Sequence, residues 1–196
     1  MLHLKDKFAN SRILLASRSP RRQELLGGLG IAFEVAGHPG ADETFPDSLS
    51  KTEIPVYLAE KKAGAFDNLL DDRTVLITAD TIVWCNNSVM NKPGSRDEAI
   101  RFLTELSGRS HQVITGVCIK SPDRRVSFYS LTSVYFRQLL AGEIIYYVDN
   151  FRPYDKAGGY GIQEWIGYVG IEAINGSYFN VMGLPVDRLY KALMEF

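Results

Sequence analysis

The order of strand-like and helical segments constrains the fold of this chain more than any other feature. Short runs of β-branched and aliphatic residues, Arg12–Ala16 and Thr74–Thr78, are separated by segments with helical periodicity. Two longer strand-like runs, His111–Lys120 and Val126–Arg137, follow one another across a turn. This mixed order predicts a single α/β domain over residues 1–196, built around a mixed, partly antiparallel sheet with helices.

Helix boundaries are marked by capping residues. Ser19 and Pro20 are typical of the N-cap and the first helical position, and Gly27, Gly28 and Gly30 end that helix. Ser95 and Glu98 have the spacing of a capping box for a second helix. The other predicted helices are Glu53–Asn68, Ala141–Asp149 and Pro185–Met194, and the other predicted strands are Ile31–Val35, Ile82–Cys85 and Val169–Ile174. The strand pattern changes sharply at Ala79-Asp80-Thr81 and resumes at Ile82.

Composition excludes several classes of protein. Of the 196 residues, 45% are hydrophobic and 23% are charged, which is the balance of an ordinary globular protein. No apolar run approaches a membrane span and no signal peptide is recognisable, so we expect a cytoplasmic protein. A net charge of -1 gives no support for bulk binding to nucleic acid or to a membrane. Cys85 and Cys118 are predicted to be buried thiols.

The segment Ser17–Arg22 is a candidate phosphate-binding loop. It lies between a strand and a helix, and the N-terminus of a helix presents unpaired N–H groups and a positive dipole end. Two serine hydroxyls and three arginines would add donors and positive charge. The alternative is a capped helix with solvated arginines. The segment is not a Walker loop, because the glycine and lysine pattern of that loop is absent.

Asp80 directly follows an apolar run. A carboxylate at the end of a buried strand is costly unless it binds a cation or hydrogen-bond donors, and strand ends are where α/β sheets usually place ligands. The alternative is a turn aspartate that bonds its own backbone.

Further charged residues and one glycine-rich segment complete the candidates. The charged residues, each of which could also be an ordinary surface charge, are Asp42, Glu43, Lys61, Lys62 and Lys92. The segment Tyr154–Gln163 has three glycines among charged and aromatic residues, which suits a loop that lets backbone approach a ligand closely. No nucleophile–base pattern and no zinc spacing is present, so a metal held by carboxylates and phosphates, such as magnesium, fits better.

Taken together, these segments resemble the Maf family of nucleotide pyrophosphatases. The matching pieces follow family order and cover essentially the whole chain: Leu15–Arg22, Ala79–Thr81, Lys92-Pro93, Leu106–His111, Val113–Val117, Asp155–Gln163, Ile174–Tyr178 and Met182–Pro185. The resemblance implies a Maf-like α/β fold with two lobes around a cleft, related to the inosine triphosphate pyrophosphatases. It also implies hydrolysis of a nucleoside triphosphate between the α- and β-phosphates with a divalent metal, Mg or Mn, and suggests a homodimer.

The resemblance assigns roles to individual residues. Asp80 matches the general base, and Glu43, Lys62 and Lys92 match further active-site acids and bases, with Lys61 as the alternative to Lys62. Asp80 and Glu43 would hold the metal. The residues that match the phosphate-binding loop are Ser17, Ser19, Arg21 and Arg22.

The expected subfamily follows from three positions. At Arg21, Thr81 and Gln163 the chain is similar to the group that acts on dTTP and UTP. A glutamine amide presents a donor and acceptors, as the edge of a uracil or thymine ring requires. The chain departs from the family pattern at Gly159, where Ala is common, and at Glu164, where Gly is usual. A 7-methyl-GTP pyrophosphatase and a nucleotide-binding regulator of cell division or septum formation are the alternatives.

Overall fold

The computed structural model describes residues 3–37 and 43–196, in which the chain forms a seven-stranded mixed sheet and eight α-helices. The strands are β1 (Arg12–Leu15), β2 (Glu34–Val35), β3 (Thr74–Cys85), β4 (Ser88–Met90), β5 (Ser110–Lys120), β6 (Arg125–Phe136) and β7 (Ile171–Asn175). The helices are α1 (Leu4–Lys7), α2 (Pro20–Gly27), α3 (Glu53–Gly64), α4 (Arg96–Leu106), α5 (Ala141–Phe151), α6 (Trp165–Gly170), α7 (Tyr178–Met182) and α8 (Val186–Glu195).

The sheet has the order β2-β1-β3-β5-β6-β7, and β4 pairs with β3. Strand β1 is parallel to β2 and β3, whereas β4 is antiparallel to β3 and β7 is antiparallel to β6. The predicted α/β class with a partly antiparallel sheet is therefore confirmed. None of the helices in the described part of the chain is long and apolar enough to cross a membrane.

The chain divides into two compact units. The first comprises residues 1–80, 115–130 and 183–196, and the second comprises residues 81–114 and 131–182. The single domain over residues 1–196 stays a prediction.

The core of the first unit forms where α3 packs on β1 and β3. Parallel pairing places Leu14 beside Leu76, and both side chains are buried together with Ala59, Ala63 and Phe66. Ala59 and Ala63 are spaced as i and i+4, which puts them on one face of α3, and Phe66 follows just after the helix. Because both helix residues are alanines, the helix backbone can approach the sheet closely. The hydroxyl of Thr78 donates to the carbonyl of Ala59 over 2.7 Å at this contact.

The core of the second unit lies under α4 and α5. The side chain of Ser95 accepts a hydrogen bond from the Glu98 N–H, which confirms the predicted cap of α4, and Gly108 after the helix has a φ of 68°. Phe102 and Leu103 from α4 are buried against Tyr147 of α5. The predicted burial of the two cysteines is also confirmed, since both are free thiols below the surface.

Strand β3 differs from its sequence-based description. It is one continuous strand from Thr74 to Cys85, whereas the sequence pattern predicts two strands on either side of Ala79-Asp80-Thr81. In the structure the ladder continues through this residue, since its carboxylate is satisfied by a side chain outside the strand.

Smaller differences concern element ends and short elements. Helix α3 stops at Gly64 and is followed by a 3-10 turn, Asp67–Leu69, instead of continuing to Asn68. The strand predicted for Ile31–Val35 is reduced to two residues. The sequence analysis did not predict α1, α6, α7 or β4, all of which have six residues or fewer.

Gly116 of β5 lies directly against the backbone of α3. A Cβ atom at this position would be 2.2 Å from the carbonyl carbon of Pro55, which no side-chain adjustment can relieve. We expect Gly116→Ala to lower the free energy of unfolding by about 3 kcal/mol or more. Urea denaturation measures this change. The matched control is Gly142→Ala, because a Cβ on Gly142 of α5 meets nothing within 4 Å. The control should stay within about 1 kcal/mol of the wild type, and equal destabilisation of both variants would contradict the close approach of α3.

Candidate active site

Asp80 is the last residue of the N-terminal segment of the first unit and lies inside β3, with 8% of its surface exposed. The strand residues before it are buried on both faces, so the ladder fixes the direction in which its side chain points. Its Oδ1 atom is 2.6 Å from Nζ of Lys62 on α3. A buried carboxylate needs such a partner, because an unpaired charge in the interior is very costly.

Lys62 joins two carboxylates. Its Nζ atom also lies 3.1 Å from Oε1 of Glu43, whose side chain is about half exposed. The ammonium group is itself largely buried, with 12% of the side chain exposed. The structure thus brings Asp80, Lys62 and Glu43 together in the first unit, in the arrangement acid–base–acid.

Lys61, the alternative to Lys62, points elsewhere. Its Nζ atom donates to the backbone carbonyl of Thr44 over 3.0 Å. Lys62 is placed beside Asp80 by helix phase: the buried face of α3 includes Leu58, Ala59 and Ala63, and position 62 lies one turn after Leu58. Asp42 lies outside the described residues.

The loop before α2 is held together by Ser17 and Arg22. The Oγ atom of buried Ser17 accepts from the Ser19 N–H over 3.3 Å. Ser19 is the N-cap residue of α2, as predicted, but its side chain makes no capping hydrogen bond. Arg22 donates through Nε to the carbonyl of Gly183 over 2.8 Å and through Nη1 to the carbonyl of Ala79 over 2.9 Å.

Arg22 therefore fixes the residue that precedes Asp80 in the strand. Burial lowers the pKa of its guanidinium group from the ordinary value, and the negative charge of Asp80 opposes that shift. The partly buried Arg21 is its neighbour on α2. Ser17, Ser19, Arg21 and Arg22 thus share one loop and helix start in the first unit, with Arg22 engaged by backbone carbonyls.

Thr81, Lys92 and Gln163 belong to the second unit. There the glycine-rich segment adopts backbone conformations that favour glycine, with φ of 70° at Gly158 and 72° at Gly159. The Gly158 N–H donates to the carbonyl of Asn91 over 3.1 Å. The exposed Lys92 is the next residue after Asn91, so its backbone lies close to the glycine-rich segment.

Gln163 carries an unsatisfied acceptor. Its Oε1 atom is buried and has no hydrogen-bond partner within the described residues. Buried polar atoms without a partner are rare in folded proteins, and a bound ligand is one way in which such an atom can be satisfied. The partly buried Gln163 is the third residue of a turn, Gly161–Glu164, closed by a hydrogen bond of 3.0 Å from the Glu164 N–H to the Gly161 carbonyl.

Sequence reasoning missed a buried histidine–tyrosine pair that supports the same segment. Nε2 of His111 lies 2.7 Å from the hydroxyl of Tyr160, and the two rings meet edge to face, with Phe136 stacked on the histidine. Burial lowers the pKa of His111 to about 3. The histidine was discounted because it has no metal-ligand spacing. Its place at the start of β5, opposite an aromatic run, is the signal that could have found the pair.

The donor set in the first unit suits a divalent metal that is shared with a ligand. In the ranges 3–37 and 43–196, no three His, Cys, Asp or Glu side chains gather as a complete protein cage. Magnesium is usually bound by one or two carboxylates together with phosphate oxygens, and dehydrates reluctantly. The carboxylates of Asp80 and Glu43, which share Lys62, match that requirement.

The fold and this site define a class: an α/β protein with a buried carboxylate–lysine centre beside a serine- and arginine-rich loop. Comparison with known proteins identifies the family. The family model described as Maf-like protein matches residues 12–196, and the chain belongs to this family.

The chain is also similar to individual proteins over nearly its whole length. A dTTP/UTP pyrophosphatase of Parabacteroides distasonis is 56% identical over 191 residues, covering 97% of this chain and 99% of that protein. A dTTP/UTP pyrophosphatase of Phocaeicola vulgatus is 54% identical over 195 residues, covering 100% of both. Among solved structures, a HAM1 protein from Coxiella burnetii matches 95% of this chain and 100% of that chain, with 16% identity and a TM-score of 0.48.

The buried His111 makes stability depend on pH. Its pKa in the folded protein, about 3, lies below the ordinary value of 6.5, so the unfolded chain binds a proton in this range that the folded chain does not. Stability from this group is complete above pH 6.5 and is lost as the pH falls towards 3. Between pH 7 and pH 5 we expect the wild type to lose about 2 kcal/mol more than His111→Gln.

Urea unfolding at both pH values tests this expectation. His3→Gln is the matched control, since His3 is exposed. Equal losses in the wild type and in His111→Gln would show that His111 titrates normally.

Proposed function

We propose that this chain hydrolyses dTTP and UTP to the nucleoside monophosphate and pyrophosphate. Relatives that share about half of its residues over nearly the whole chain are named dTTP/UTP pyrophosphatases. The observation that carries the proposal is the buried Asp80–Lys62 pair, because it provides a strand-fixed carboxylate of the kind that water activation requires.

Asp80 is the general base of the proposed reaction. Its carboxylate accepts a proton from a water molecule, the water oxygen attacks the α-phosphorus, and the bond to the pyrophosphate oxygen breaks in line with the attack. The contact with Lys62 orients the carboxylate in its buried surroundings and pairs its charge. Arg22 holds the adjacent Ala79 carbonyl and so fixes the backbone from which Asp80 projects.

Positive charge for the phosphates comes from the remaining predicted site residues. The loop of Ser17, Ser19 and Arg21 precedes and begins a helix, where hydroxyls, N–H groups and a cation suit an anion. Lys62 and Lys92 stay the predicted partners of the leaving pyrophosphate. Electrostatic stabilisation of this kind supplies most of the rate enhancement in phosphoryl transfer.

A divalent metal, Mg or Mn, is part of the proposal. Asp80 and Glu43 would hold it together with the phosphates, which suits a site with two carboxylates. When bound, such an ion withdraws charge from the phosphoryl oxygens. A homodimer and a cytoplasmic location also stay predictions.

Gln163 is the proposed reader of the base. The N3–H group of uracil or thymine is a donor, and it would satisfy the buried Oε1 atom that has no partner in the described chain. Cytosine has an acceptor at N3, which would face the same oxygen unfavourably. The unsatisfied carbonyl therefore favours dTTP and UTP over CTP.

Asp80→Asn tests the reaction. Asparagine keeps the size of the side chain and loses the basic oxygen, so we expect turnover of dTTP and UTP to fall by about 100-fold or more while nucleotide binding persists. Pyrophosphate release with Mg or Mn measures turnover, with CTP, GTP and 7-methyl-GTP in the same panel. Asp72→Asn, at an exposed position after α3, is the control.

Near-normal turnover in Asp80→Asn would remove Asp80 from the base role. A wild type that prefers the methylated purine would keep the reaction and change the substrate.

Gln163→Ala tests base recognition. Removing the amide should lower the preference for UTP over CTP by roughly 10-fold, because the acceptor that distinguishes the two rings is gone. The ratio of kcat/KM for the two substrates measures this preference. Gln138→Ala changes an exposed glutamine of the same unit and should leave the ratio unchanged. An unaltered ratio in Gln163→Ala would exclude it as the base reader.

A further inference from the structure

Glu164 directly follows Gln163, and the structure gives its carboxylate two partners. Its Oε1 atom lies 3.0 Å from Nζ of Lys156, and its Oε2 atom accepts a hydrogen bond from the hydroxyl of Tyr147. The side chain is largely buried, with 21% exposed.

The Tyr147 hydroxyl connects this carboxylate to the turn that carries Gln163. It accepts from the Gly161 N–H over 3.0 Å and donates its own proton to Glu164. Because the Glu164 N–H donates to the Gly161 carbonyl, the hydrogen bonds form a closed ring around the turn Gly161–Glu164. Gln163 is held inside this ring by its neighbours on both sides.

Lys156 extends the ring to the beginning of the glycine-rich segment. Its side chain is 9% exposed and also pairs with Asp155, at 2.7 Å. The packing is tight: a Cβ on Gly161 would be 2.9 Å from Cδ of Glu164 and 3.1 Å from Cε of Lys156. The two ends of the segment are therefore joined by a side-chain bridge as well as by the backbone.

Burial is the main cause that raises the pKa of Tyr147, and the hydrogen bond to Glu164 raises it further. The phenol is therefore a proton donor to the carboxylate in the folded protein.

We propose that Glu164 is a positioning residue for base recognition, which holds the Gly161–Glu164 turn so that the amide of Gln163 keeps one orientation. This inference rests on the proposed function. Fixing an amide in advance reduces the entropy lost when a base binds, so the effect falls on substrate affinity and discrimination, and the chemical step is unaffected.

Glu164→Gln is the decisive variant, because it keeps the shape of the side chain. Its amide nitrogen is a donor, so that either the ion pair with Lys156 is replaced by a donor–donor contact or the Tyr147 hydroxyl loses the acceptor for its proton. We expect KM for dTTP and UTP to rise roughly 10-fold with kcat within about 2-fold of the wild type, and the preference over CTP to shrink. Tyr147→Phe, which removes the hydroxyl and leaves the ion pair, should change KM in the same direction.

Glu172→Gln is the matched control, since it changes an exposed glutamate of the same unit on β7, and it should behave as the wild type. Two outcomes would overturn the inference. Unchanged KM and substrate ranking in Glu164→Gln would show that the ring does not act on recognition. An equal fall in kcat for every nucleotide, with a lower free energy of unfolding in urea, would assign Glu164 a structural role only.

The failure of the proposed function can be distinguished from the failure of this inference. If the wild type hydrolyses neither dTTP nor UTP, the proposed function fails. The inference is then decided by two measurements without turnover: calorimetric binding of UMP against CMP, and hydrogen exchange of the Gly161 amide. Weaker UMP binding and faster exchange in Glu164→Gln would support it, and unchanged values for both would overturn it.

Discussion

The ion pair between Asp80 and Lys62 is the constraint on which the first unit depends. A carboxylate inside a strand that is buried on both faces requires a cation, and removing one partner of such a pair usually costs about 3–5 kcal/mol. The lysine can reach Asp80 only if α3 lies close to the sheet. Small residues provide this approach, with Ala59 and Ala63 on the helix and Gly116 on the facing strand. The packing of the core and the chemistry of the site are therefore consequences of one helix position.

Elements with strong local signals could be predicted from the sequence. Helix α4 has both a serine cap and a glycine after its end, and the two long strands β5 and β6 have sustained β-type patterns, so their bounds were found to within one residue. Short elements lack such signals. The hairpin between β3 and β4 turns through Asn86 and Asn87, both at positive φ, which is a recognised hairpin signal that the sequence analysis did not use.

The candidate residues were named from the sequence, but the contacts that they make with one another were not. Sequence left Lys61 and Lys62 equivalent, because adjacent residues share the same local pattern. Helix phase separates them, since the buried stripe of α3 places only Lys62 beside Asp80. The partners of Arg22 are backbone carbonyls at positions 79 and 183. A pattern of side chains in the sequence does not predict which backbone carbonyl an arginine will contact. The same limit applies to the ring around Gly161, in which Tyr147 is 14 residues away along the chain.

The location of Asp80 within a continuous strand restricts which changes of length the chain can tolerate. Successive strand residues point to opposite faces of a sheet, so inserting or deleting one residue between Thr74 and Asp80 would turn the carboxylate to the face opposite Lys62. A change of two residues would restore the face but move the side chain along the strand by about 7 Å, beyond the reach of the same lysine. Insertions and deletions are thus expected in the loops on either side of β3. The number of residues between the part of β3 that pairs with β1 and Asp80 must stay constant for the site to form.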